Sequence, residues 1–73
     1  MLIYDKQKED NMKIVFSFCR KKGWKYYEED EVSGIEASIV IIYDLDHFNF
    51  EAFTRAMNKL VIVTTLGLVL HEF

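Results

Sequence analysis

Between Tyr43 and Phe53 the chain reads YDLDHFNFEAF, which crowds Asp44, Asp46, His47, Asn49 and Glu51 into one short stretch. Carboxylates and imidazole are donors for divalent metal ions, and the same groups serve general acid/base chemistry. The spacing argues against both roles. A helix that begins after Asn49 leaves His47 outside it, so His47 and Glu51 share no helical face. A structural reading accounts for every polar residue: Asn49 is the N-cap, and Phe48 and Phe53 take the two positions of a hydrophobic staple. Asp44, Asp46 and Glu51 then lie near the positive end of that helix. The stretch is read as a strand-to-helix junction, and no catalytic, cofactor-binding or metal-binding residue is assigned.

Three other groups of residues have chemical potential. Cys19 falls on an apolar helical stripe, where cysteine is usually a small buried hydrophobe rather than a nucleophile. His71 has no partner at fixed spacing and reads as a solvated side chain. Trp24, Tyr26 and Tyr27 stand beside Lys21, Lys22 and Lys25, a combination able to stack bases and hold phosphates of a single strand. Just beyond them the run EEDE, Glu28 to Glu31, offers carboxylates that can mimic a nucleic-acid backbone, or simply a solvated edge that repels strand pairing.

The elements that must position these groups follow from patterning. LIY, Leu2 to Tyr4, is a short first strand and the least defined. From Asp10 to Lys22 the positions Met12, Val15, Phe16 and Cys19 recur at helical spacing, with Asp10 or Asn11 as N-cap and Gly23 as stop. Trp24 to Glu31 has extended character, Val32 to Gly34 reads as a hairpin turn, and Ile35 to Asp44 as the second arm. Phe50, Phe53, Met57 and Leu60 mark a second helix over 50–60, with Glu51 one turn before Arg55. The remaining LVIVTTLGLVLHEF is a β-branched strand with Gly67 as a bulge or kink. This β-α-β-β-α-β order predicts a ferredoxin-like two-layer α+β sandwich, an antiparallel sheet with two helices on one face.

Size and composition set the frame. With 73 residues, 51% of them hydrophobic, and no proline, the chain is expected to form one ordered domain over 1–73. A single cysteine excludes an internal disulfide framework or a multi-cysteine zinc site and suits a reducing, cytoplasmic setting. The longest apolar run is about half the ~20 residues of a membrane-spanning helix, so no membrane role is expected. Charge is unevenly spread: up to Lys25 seven basic residues face three acidic ones, net +4, and from Tyr26 onward two face nine, net −7.

Those patterns lead to a functional expectation. The strands on either side of the second helix are apolar on both faces, whereas two helices on one face of a sheet cover only one. The first helix likewise carries Ile14 and Phe18 outside its main stripe. Ile14, Phe18, Val40, Ile42, Leu66 and Leu68 are therefore candidate partner-binding residues, and the chain reads as a small non-enzymatic binding or regulatory protein without cofactor, acting as a homodimer or with a protein partner. The alternatives are a single-stranded nucleic-acid binder using Trp24, Tyr26, Tyr27, Lys21, Lys22 and Lys25, and an acidic nucleic-acid mimic.

Overall fold

In the computed structural model, which describes residues 1–64 and 67–73, the short apolar stretch Leu2–Tyr4 forms strand β1, an interior strand of a five-stranded sheet. Helix α1 (Lys13–Lys22) leads to β2 (Tyr26–Glu28), and β3 (Ala37–Tyr43) is followed by a one-turn helix α2 (Phe50–Phe53), β4 (Ala56–Thr64) and β5 (Gly67–Glu72). The order across the sheet is β2-β1-β3-β4-β5. β1 runs parallel to both β2 and β3, β4 is parallel to β3, and β5 is antiparallel to β4.

This overturns the ferredoxin-like expectation of an antiparallel sheet with two helices on one face. The sheet is mixed and mostly parallel, and it is covered from both sides. On one face α1 sets Met12, Val15, Phe16 and Cys19 against Leu2, Tyr4, Tyr26, Ile41 and Tyr43. On the other, Val32 from the β2–β3 connection and Ala52 and Phe53 from α2 pack on Ile3, Val40, Ile42 and Leu60. Strands that are apolar on both faces are what a parallel sheet between two covering layers requires. Val40 and Ile42, expected on the free surface, are fully buried for this reason.

No hairpin joins β2 to β3. Glu29–Glu31 forms a 3-10 turn closed by a capping box between Glu28 and Glu31, and the chain then crosses past β1 before Ala37. The second helix is also shorter than its periodicity predicts. The Thr54 hydroxyl donates to the carbonyls of Phe50 (2.8 Å) and Glu51 (3.2 Å), which closes the turn at its end. The following residues are claimed by pairing with β3, where Leu60 lies opposite Val40 and Ile62 opposite Ile42. Met57, taken as a helical stripe residue, is exposed, and no ion pair forms between Glu51 and Arg55.

The α1 boundaries have local causes. Gly23 adopts φ +71°, the left-handed conformation that costs glycine little, and the amide of Trp24 reaches back to the Cys19 carbonyl at 2.8 Å. Arg20, Lys21 and Lys22 occupy the last turn, at the negative end of the dipole. At the other end Asp10 and Asn11 are not caps, because Lys6–Asn11 forms a 3-10 turn of its own, capped by the Asp5 side chain, which accepts from the Gln7 amide at 2.9 Å.

Candidate functional site

Parallel strands bring their carboxyl ends to one edge, and in this sheet the direction of winding reverses between β1 and β3. In open sheets of this kind the crevice beyond those two ends is the usual place for a ligand. Here it is bridged by Lys8, whose side chain is 27% exposed. Its ammonium donates to the Asp44 carbonyl at 2.7 Å and to Asp46 Oδ1 at 2.8 Å, and lies 3.3 Å from Asp44 Oδ2. Asp44 makes this possible by turning the chain through φ +53°, a left-handed conformation aspartate tolerates better than most residues. The carboxylates first read as serving the α2 dipole thus serve Lys8 instead.

Next to it is a second polar cluster. Glu29, directly after β2, is largely buried and receives His47 Nε2 at 2.7 Å and Asn49 Nδ2 at 3.2 Å on the same oxygen. Asn49 Oδ1 in turn accepts from the Ala52 amide at 3.1 Å, and Phe48 and Phe53 meet with ring centroids 4.9 Å apart. The cap and the staple are both present, and Asn49 also joins two loops. The EEDE run is consequently not a free array of carboxylates: Glu28 caps its turn and lies 4.0 Å from Lys6, and Glu29 is committed to His47 and Asn49.

The chemistry open to this edge is limited by that internal pairing. Among the described residues no three His, Cys, Asp or Glu side chains come together as a metal ligand set. The Lys8 bond to Asp46 is the main cause that raises the Lys8 pKa above its ordinary value, with Asp44 adding to it. Such a pair contributes fully below the ordinary lysine pKa, and its contribution is lost as pH rises through the raised value. Thermal melts between neutral pH and the lysine range should therefore show a Lys8→Met variant that melts lower than the native chain at neutral pH, with the gap closing at the alkaline end. Equal melting at neutral pH would show that the bridge contributes nothing.

The other sequence candidates are dispersed. Cys19 is 1% exposed beneath α1, and burial pushes its thiol pKa up, away from the thiolate a nucleophile needs. His71 is exposed and lies edge-on to Phe73 at 4.7 Å. Tyr26 stacks on Phe16 at 4.5 Å on the α1 face, its hydroxyl accepting from Arg20 at 3.1 Å, whereas Tyr27 packs on the opposite face. The three rings proposed to bind a strand together are thus split across the sheet, with Trp24 and Tyr27 sharing one cavity near its amino edge. Ile14 and Phe18 are exposed at 85% and 54%, Leu68 at 67%, and Leu66 lies outside the described residues.

Lys8 was not singled out in the sequence, and Glu29 only as one carboxylate of the EEDE run. Their partners are 36 and 18 positions away, and only the parallel order of β2, β1 and β3 brings them together. Fold and site define a small mixed-sheet domain whose polar edge is paired internally and whose exposed apolar side chains include Leu68, Val69 and Leu70 of β5. Comparison with protein-family models, curated proteins and solved structures finds no match for the chain. Among the described residues no helix is long and apolar enough to cross a membrane.

Proposed function

We propose that this chain is a non-enzymatic binding protein that works as a homodimer joined through β5. The observation that carries the reading is the exposure of β5 on both faces and along its free edge: all six of its residues are exposed, including Leu68, Val69 and Leu70 at 53 to 67%. An apolar edge strand of this kind is a template for another strand unless something blunts it.

A second copy fits that edge by symmetry. The Phe73 amide donates to Asn58 on β4, so alternation along the ladder turns Gly67, Val69 and His71 toward β4 and leaves the amides and carbonyls of Leu68, Leu70 and Glu72 facing outward. A twofold axis normal to the sheet keeps each face on its own side, which requires the antiparallel pairing of two β5 strands to centre on a residue. Centred on Val69, it places Leu68 opposite Leu70 of the other copy and Gly67 opposite His71, with no like charges opposed. The new apolar pairs continue the row of Val61 and Val63 beside them on β4.

Sedimentation equilibrium across a micromolar dilution series tests this. The expected result is a species of twice the 8.7 kDa chain mass that dissociates on dilution. A well-behaved monomer throughout, with no binding of a hydrophobic dye, would sink the reading.

A further inference from the structure

The amino edge of the sheet has a different character from its carboxyl edge. The last turn of α1 delivers Lys21 and Lys22 there, and Lys25 follows just before β2. None of the three forms an ion pair among the described residues, whereas at the far edge Lys6 and Lys8 are paired with Glu28, Asp44 and Asp46. Between Lys25 and the start of β3 lies a cavity of about 460 Å³, lined by Trp24, Lys25, Tyr27, Glu36, Ser38 and Ile39 among others. Its size falls within the roughly 300–1,000 Å³ of ordinary ligand pockets.

Two polar groups of the lining are engaged, the Met1 ammonium donating to the Ile39 carbonyl at 3.0 Å and the Ser38 hydroxyl accepting from Asn58 at 2.6 Å, and three further donors are left over. Neither the indole N–H of Trp24, the hydroxyl of Tyr27 nor the ammonium of Lys25 hydrogen-bonds to any described residue. Trp24 also makes no ring contact with another aromatic residue, and remains 37% exposed at the cavity. Two aromatic rings with free donors and the Lys25 ammonium suit a planar ligand that carries negative charge and several acceptors. Lys21 and Lys22 lie on the preceding turn, the latter over the Phe18 ring at 5.9 Å. Glu36, the one acidic residue of the lining, supplies an acceptor for a sugar hydroxyl or an exocyclic amine.

We propose that this cavity binds one nucleotide unit, its base against Trp24 and Tyr27 and its phosphate held by Lys25, with Lys21 and Lys22 on the preceding turn adding positive charge nearby. Base stacking on aromatic rings combined with lysine contacts to phosphate is the general chemistry of such sites. The unit is either a free mononucleotide or one residue of a single strand, since the same groups recognise both. The site uses neither β5 nor the carboxyl edge, so it stands independently of self-association.

Trp24 is the single tryptophan and reports on the cavity directly. Its fluorescence would be titrated at low salt with adenosine monophosphate and, separately, with a mixed-sequence single-stranded RNA oligonucleotide. Saturable quenching is expected. Quenching by the mononucleotide at comparable concentration identifies a free nucleotide as ligand, and quenching by the oligonucleotide alone identifies a strand. Tyr27→Ala should weaken binding about tenfold or more, and Lys25→Gln, at an exposed position that leaves the fold intact, should lower the logarithmic salt slope by about 0.7. Absence of quenching with both probes overturns the proposal, as does a Lys25→Gln protein that binds with unchanged affinity and salt slope.

Discussion

Ile3→Ala should remove about 2–5 kcal/mol of folding stability, the range for deleting a branched aliphatic side chain from a core that cannot collapse around the gap. Ile3 is fully buried, and β1 is hydrogen-bonded on both sides, to β2 and to β3. For a domain of this size total stability is on the order of 4–11 kcal/mol, so the loss is a large share of the whole. Urea unfolding followed by circular dichroism reads it as a midpoint lowered by about 2 M or more, given a slope near 1 kcal/mol per molar. Phe50→Ala serves as the comparison, since that ring is 72% exposed and its removal should change stability by no more than about 0.5 kcal/mol. If both variants unfolded at the same midpoint, β1 would not be an interior strand of the core.

The second large effect is expected on assembly rather than stability. Leu70→Lys puts an ammonium at the middle of the outer edge, where the native side chain is 53% exposed and the monomer has little to lose. In the Val69-centred pairing each new lysine faces Leu68 of the other copy, and the two lysines lie near each other across the axis. Natural edge strands use lysine in this way to prevent pairing. Dissociation should become easier by at least about tenfold, the factor that corresponds to roughly 1.4 kcal/mol. Sedimentation equilibrium gives the constant, and urea unfolding of the same variant separates assembly from folding. An unchanged constant would rule out β5 as the joint, even if the native chain were dimeric.

Local signals in the sequence survive in the structure where the chain itself decides. The stripe of Met12, Val15, Phe16 and Cys19 faces the sheet, Gly23 ends α1, and Asn49 caps α2 beneath the Phe48–Phe53 staple. Strand direction was not legible, and the reason is the brevity of the β2–β3 connection. Parallel neighbours ordinarily need a crossover of a dozen or more residues, whereas 29–36 spans eight and carries a turn-forming Ser-Gly pair. Such a link reads as a hairpin. It serves as a crossover because Val32, fully buried, anchors it on the sheet face opposite α1. The apolar surplus of β3 was then taken as surface awaiting a partner, although much of it is consumed by the second covering layer. The polar edge was illegible for a related reason, since Lys8 and Glu29 find Asp44, Asp46 and His47 only after the strands have been ordered.

The position of β1 between β2 and β3 also governs when the molecule can form. Leu2 pairs with Tyr26 and Ile41, 24 and 39 positions along the chain, while β4 and β5 are joined by a short link. Contacts between distant positions are closed late and slowly, and local ones early. During synthesis β1 must therefore wait, unpaired on its inner edge, until β3 has followed it. The β4–β5 ribbon, made after β3, pairs locally on the microsecond scale of a hairpin. The β2-β1-β3 part of the sheet thus closes only after all three strands exist, whereas the locally paired β4–β5 ribbon is the piece that leaves an apolar edge open to other molecules.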